Sequence, residues 1–205
     1  MLNAALQALS LVAILRGVKP EEVEAIADVL HAEGFRVIEV PLNSPGALDS
    51  IARLARRMPA GTVVGAGTVL SAQAVADVAA AGGQLIVMPH ADVDVIRAAK
   101  ARGLFCVPGA ATPTEAFAAA AAGADAVKLF PAELVTPAVL KAMRAVLPRE
   151  LRLLPVGGIT PGGMDPFMKA GASGFGLGSA LYAPGLSAAE VGERARAFVR
   201  AWRAY

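Results

Sequence analysis

Cysteine is nearly absent from this chain: Cys106 stands alone in 205 residues. No internal disulfide can form, and a reducing cytoplasm is the expected compartment. Histidine is almost as scarce, with only His31 and His90. Neither sits at ligand spacing from the other or from Cys106, so no metal is expected. Charge is also sparse, at 18% of residues, with 19 basic against 17 acidic side chains and a net charge of +2. That balance leaves no basic face large enough to expect nucleic acid or an anionic membrane as the main partner. Long apolar runs are missing too. A mean hydropathy of +0.56 would suit a membrane protein, yet Gly, Pro or a charge breaks every stretch short of the roughly 18 apolar residues a span needs. No basic leader followed by an apolar segment opens the chain. What remains is the expectation of one apolar domain over residues 1–205 that handles a small molecule.

What is present is a regular alternation. Short β-branched or apolar runs are separated by Ala/Leu-rich segments with charges at helical spacing. The runs are 11–15, 36–40, 62–66, 84–87, 104–107, 126–129, 152–155 and 174–177. Their starts lie about 20 to 26 residues apart, room for one strand, one helix and two short loops each. Helix starts are marked by Pro20 with Glu21, Glu22 and Glu24, and by Ser71, Thr112 and Thr136 as N-caps, the last two followed by Pro113 and Pro137. Helix ends are marked by Gly34, Gly82, Gly103, Gly123 and Gly171. The alanine run Ala118 to Ala122 reads as a close-packed helix face. Eight such units predict an α/β fold, a single (β/α)8 TIM barrel with an N-terminal helix. An open doubly wound sheet is the competing architecture. It is disfavoured because Arg16-Gly17-Val18-Lys19-Pro20 follows the first strand where a Gly-rich dinucleotide fingerprint would stand.

In a parallel barrel the strands are covered on both faces, so a charge inside a strand run is anomalous. Lys128 interrupts Ala126-Val127-Lys128-Leu129-Phe130, and Glu39 interrupts Val37-Ile38-Glu39-Val40-Pro41. Strands two and six oppose one another across a barrel, so the two side chains are expected to face a shared cavity. A desolvated lysine loses its proton more easily and becomes a nucleophile toward carbonyl carbon; a carboxylate opposite it can move protons. The competing structural reading is a buried ion pair. Arg16 after the first strand and Thr68 after the third flank Glu39. Two glycine clusters, Val156-Gly157-Gly158-Ile159-Thr160 and Gly176-Leu177-Gly178-Ser179, follow the last two strands, where barrels bind phosphate through backbone amides. Tight turns are the alternative use of such glycines.

The set Ala13-Ile14-Leu15-Arg16, Ile38-Glu39-Val40, Gly65-Ala66-Gly67-Thr68-Val69, Pro108-Gly109, Val127-Lys128-Leu129-Phe130-Pro131, Gly157-Gly158-Ile159 and Gly178-Ser179 resembles the class I 2-keto-3-deoxy-6-phosphogluconate (KDPG) and -galactonate (KDPGal) aldolases. Some members of that family also cleave 4-hydroxy-2-oxoglutarate to pyruvate and glyoxylate. The resemblance implies a cofactor-free lyase that releases pyruvate and glyceraldehyde 3-phosphate, with Lys128 forming the imine and Glu39 acting as general acid/base through a water. It further implies that Arg16 and Thr68 hold the pyruvyl carboxylate and nearby oxygens. Phe130 and Pro89 would wall the site, and Gly157, Gly158, Gly178 and Ser179 would take the phosphate. A homotrimer is implied as well. One departure stands out: gluconate-type members carry Thr-Leu-Arg just after the catalytic glutamate, and this chain has Pro41-Leu42-Asn43. With that arginine missing, Arg16 is the expected cation. Pro41-Leu42-Asn43-Ser44-Pro45 and Val156 lean toward the galactonate type. A barrel phosphosugar isomerase or epimerase, and a non-catalytic phosphosugar-binding protein, also fit the barrel and glycine loops.

Overall fold

The computed structural model describes residues 1–205. Helix α1 (Leu2–Ala8) comes first, followed by β1 (Leu11–Ile14), α2 (Val23–Ala32), β2 (Val37–Pro41), α3 (Ala47–Arg57), β3 (Val63–Gly67) and α4 (Ala72–Ala80). Next come β4 (Leu85–Val87), α5 (Val93–Ala101), the short strands β5 (Phe105–Val107) and β6 (Gly109–Ala110), and α6 (Pro113–Ala121). The chain ends through β7 (Val127–Leu129), α7 (Pro137–Val146), β8 (Leu153–Pro155), α8 (Met164–Lys169), β9 (Phe175–Leu177) and α9 (Ala188–Arg203). No helix is long and apolar enough to cross a membrane.

All strand pairs are parallel, in the orders β5-β4-β3-β2-β1-β9 and β6-β7-β8. Two junctions join these sheets into the (β/α)8 barrel. Val156 bridges Gly176, and Ser173 N–H donates to Leu153 O at 2.8 Å. At the other junction the fifth strand changes partner, pairing with β4 before Pro108 and with β7 after it. The sequence pattern predicts a single run at 104–107. Proline has no N–H to give to a ladder, so the strand breaks there and resumes at Gly109. The other seven strands lie within a residue or so of their expected positions.

Alternation along the strands sorts the apolar side chains into two layers. Val12, Val37, Val63, Leu85, Val87, Val107, Ala126 and Leu154 form the inner cluster with Leu2, Ala5 and Leu6 of α1, which packs onto the barrel interior. Leu11, Ala13, Ile38, Val40, Ile86, Val127, Leu129, Phe175 and Leu177 belong to the outer cluster, which includes the buried helix faces. Each fully buried Leu or Phe contributes about 1.5–3 kcal/mol, so both layers hold the strand ends in place.

The helix starts are built largely as expected. Ser71, Thr112 and Thr136 accept bonds from Ala74, Glu115 and Val139 N–H, and Thr112 forms a capping box with Glu115. Gly34, Gly82, Gly103, Gly123 and Gly171 all have positive φ at helix ends. The Pro20 segment differs in extent: α2 is regular from Val23, and residues 20–22 form a turn that leads into it, with Val23 N–H bonded to Lys19 O at 3.1 Å. Glu22 Oε1 closes that turn by accepting from Lys19 N–H at 3.0 Å and also accepts from the buried Tyr182 hydroxyl at 2.9 Å, while Glu24 is the acid in the first turn of α2.

Candidate active site

Every residue singled out for chemistry lies in or just beyond the C-terminal half of a barrel strand, the face where loops can build a site. Glu39 pairs in register with Ile14 of β1 and Gly65 of β3, and Lys128 pairs with Gly109 and Leu154. Both side chains point inward. They line one cavity of about 20 Å³ bounded by Val12, Ile14, Val37, Leu85, Val87, Val107, Leu154, Val156 and Gly176. That is room for about one water molecule.

Glu39 is 1% exposed and Lys128 6%. No ion pair joins them, and Glu39 Oε2 is buried without any hydrogen-bond partner. The buried-ion-pair reading is therefore overturned. Burial pushes the Glu39 carboxyl up to about 7, against the opposing pull of the Lys128 and Arg16 charges. Burial also lowers the Lys128 ammonium; Glu39 opposes that shift and Arg16 adds to it. Lys128 Nζ lies 4.4 Å from the centroid of the Phe130 ring. The pair thus consists of a carboxyl and an amine that both exchange protons more easily than their exposed counterparts. Gly67 makes this possible, since a Cβ there would overlap the Glu39 carboxylate.

Above the pair opens a cleft of about 140 Å³ lined by Ile14, Arg16, Lys128, Phe130, Val156, Gly157, Gly158, Ile159, Gly178, Ser179 and Ala180. The fold therefore brings together seven of the expected site residues in that cleft, and Glu39 just beneath it. At one end the backbone N–H groups of Gly158, Ile159, Gly178, Ser179 and Ala180 make no hydrogen bond within the chain. Such a cluster of free donors suits an anion. Gly157 and Gly158 have φ of +121° and +58°, so the first loop needs glycine for its shape. The Arg16 guanidinium also reaches the cleft.

Two expected residues do not line it. Thr68 touches it indirectly, accepting from Arg16 Nη2 at 3.4 Å. Pro89 is half-buried beyond β4, with its carbonyl close against Gly109, where a Cβ would come within 2.5 Å. Sequence reasoning missed Glu133. A Cβ on Gly157 would lie 2.5 Å from Glu133 Oε2 and one on Gly158 3.0 Å from Oε1, so this carboxylate fills the space beside the first glycine loop. The available signal was its place in Lys128-Leu129-Phe130-Pro131-Ala132-Glu133, on the loop after a strand that carries chemistry.

Known proteins resemble the chain over nearly its whole length. Residues 2–200 match the family model for KDPG and KHG aldolase. A probable 2-dehydro-3-deoxy-6-phosphogalactonate aldolase of Rhizobium meliloti (strain 1021) is 47% identical over 194 residues, 95% of this chain and 92% of that protein. The 2-dehydro-3-deoxy-6-phosphogalactonate aldolase of Escherichia coli (strain K12) is 43% identical over 95% of each chain. A 2-dehydro-3-deoxy-phosphogluconate aldolase of Zymomonas mobilis is 39% identical over 68% of this chain and 66% of that one. Among solved structures, one described as native KDPGal superimposes with a TM-score of 0.94 at 43% identity, covering 96% of this chain and 95% of that one. KDPG aldolase from Legionella pneumophila, with pyruvate captured as a covalent carbinolamine, superimposes with a TM-score of 0.82 at 25% identity over 100% and 97% of the two chains. With the match running nearly end to end and the barrel shared, this chain belongs to the KDPG and KHG aldolase family.

Proposed function

We propose that this protein is a class I aldolase that cleaves 2-keto-3-deoxy-6-phosphogalactonate to pyruvate and glyceraldehyde 3-phosphate, in preference to the gluconate epimer. The observation that carries the reading is the unpaired Glu39 and Lys128 sharing one buried cavity beneath a cleft with free backbone donors at its far end. Lys128, as the neutral amine, attacks C2 of the keto acid and loses water to form the iminium. The iminium makes C2 an electron sink. Glu39 then takes the proton of the C4 hydroxyl through a water, the C3–C4 bond breaks, and glyceraldehyde 3-phosphate leaves. The remaining enamine is protonated at C3, and hydrolysis of the imine releases pyruvate and Lys128.

Arg16 holds the pyruvyl carboxylate, with Thr68 beside it. Phe130 walls the site, Pro89 standing behind it against Gly109, and Gly157, Gly158, Gly178 and Ser179 take the phosphate. The free N–H groups at Gly158, Gly178 and Ser179 support that placement. The galactonate preference rests on the 47% and 43% identity to proteins named for that substrate over 95% of the chain, against 39% over 68% for a gluconate-named relative. Val156 lines both cavity and cleft and gives the site an apolar wall beside Lys128. The protein works as a homotrimer in the cytoplasm; exposed Phe117, Leu134 and Val146 supply apolar surface for subunit contacts.

A coupled assay of pyruvate release from KDPGal, KDPG and 4-hydroxy-2-oxoglutarate, run side by side, tests the proposal. The expected order of kcat/KM is that order. No pyruvate from any of the three would turn the reading toward an isomerase, an epimerase or a phosphosugar-binding protein. Gly67→Ala is expected to cost on the order of 10²-fold in kcat, because the added methyl displaces the Glu39 carboxylate by about an ångström or more.

A further inference from the structure

Arg16 is held from two sides. Its Nη1 donates to Asn43 Oδ1 at 2.7 Å, and its Nη2 donates to Thr68 Oγ1 at 3.4 Å. Both acceptors are uncharged, and no carboxylate forms an ion pair with Arg16. A guanidinium has five N–H donors; these two bonds use two and leave three for another group. The acceptors themselves are firmly placed. The loop that carries Asn43 is tied to β3 by Leu42 N–H to Gly67 O at 2.8 Å, closed by Ser44 N–H to Pro41 O at 2.9 Å, and tied to the Arg16 loop by Gly17 N–H to Ser44 Oγ at 2.9 Å. Thr68 has φ of +56°. A β-branched residue enters that left-handed region only where its surroundings compel it, a kind of strain that gathers at functional sites.

We propose that Asn43 is the positioning residue for Arg16: a neutral acceptor that fixes the guanidinium at the rim of the cleft and leaves its charge free for the substrate carboxylate. The inference rests on the reading of Arg16 as the carboxylate-binding cation. It explains why the position is Asn here. An aspartate would make a charge-assisted, bidentate pair with Arg16 and so compete with the substrate for the same donors. An alanine would leave one arm of a flexible side chain unheld, and the substrate would have to order it on binding. Thr68 completes the clamp from β3, although its longer bond makes it the weaker holder.

The test is kinetics in the condensation direction, where pyruvate and glyceraldehyde 3-phosphate are varied separately. Asn43→Ala is expected to raise KM for pyruvate about tenfold, the scale of one well-formed hydrogen bond, while KM for glyceraldehyde 3-phosphate moves less than about twofold. Asn43→Asp is expected to raise KM for pyruvate further than Asn43→Ala does, despite holding Arg16 more tightly. Three results overturn the proposal: an unchanged KM for pyruvate in Asn43→Ala, a parallel rise in both KM values, or an Asn43→Asp enzyme that binds pyruvate as well as the parent. Borohydride with pyruvate on the parent enzyme separates this from the reading beneath it. Failure to trap a covalent adduct there removes the aldolase itself, whereas trapping with an indifferent Asn43→Ala removes only the role of Asn43.

Discussion

Lys128→Met is expected to lower cleavage by on the order of 10⁴-fold or more, the scale seen when a covalent nucleophile is removed, and to abolish borohydride trapping with pyruvate. Methionine has similar reach and no charge, and the position is 6% exposed inside an apolar cavity. The lost activity therefore does not come from unfolding, and the melting temperature is expected not to fall. No other lysine can replace it. Lys100 is paired with Asp125 at 2.6 Å and Lys169 with Asp165 at 2.7 Å, while Lys19 and Lys141 are exposed. Burial lowers the Lys128 ammonium and so favours the neutral amine. Peptide mapping of the reduced adduct checks this: a label on any other lysine, or near-parent activity in Lys128→Met, contradicts the imine mechanism. Removing the Lys128 charge also removes the largest force holding the Glu39 carboxyl down, so Glu39 in this variant is expected to stay protonated to higher pH.

Glu39→Gln is expected to lose about 10²- to 10⁴-fold in kcat, the usual contribution of a general acid/base, and at the same time to become more stable above neutral pH. The buried carboxyl titrates at about 7 in the folded chain against 4.5 when free. Because the folded state holds its proton through that window and the unfolded state does not, the favourable contribution is complete below 4.5 and lost as pH rises to 7. At pH 8 the penalty is on the order of 3 kcal/mol, from about 1.36 kcal/mol for each pH unit of the difference. Glutamine cannot ionise, so Glu39→Gln escapes it. Denaturant unfolding at pH 8 and pH 5 checks both size and sign: the variant's advantage should be present at the first and shrink to under about 1 kcal/mol at the second. The parent's kcat/KM should fall as pH drops below about 7, where Glu39 gains its proton. A pH-independent advantage, or a rate profile flat down to pH 5, would show that Glu39 is not the titrating base.

These two side chains are legible in the sequence because each breaks a local pattern. A lysine in Ala-Val-Lys-Leu-Phe and a glutamate in Val-Ile-Glu-Val have no place in strands covered on both faces unless they turn into the barrel. The caps at Ser71, Thr112 and Thr136, and the glycines that close the helices, are equally legible, since each acts on residues within four positions of itself. The fifth strand is legible only in part: Pro108 forces a break, but its direction depends on β4 and β7 lying on either side. Pro20 marks the turn that leads into α2, but the bond from the Tyr182 hydroxyl to Glu22, 160 residues away, has no local signal.

The family, the barrel and the Lys128–Glu39 pair are thus determined by the sequence alone, through periodicity, strand-interrupting charges and motif order. Tertiary structure alone decides how those groups are poised. Glu39 and Lys128 line one cavity from separate strands without forming an ion pair, which leaves Oε2 unpartnered while each still feels the other's charge. Glu133 lies against Gly157 and Gly158 because two separate loops converge at the barrel mouth. Asn43, legible in sequence only as a missing arginine, becomes the acceptor for Arg16 across 27 residues, with Thr68 reached across 52. Contacts of that kind are set by which strand neighbours which, and no local signal encodes them.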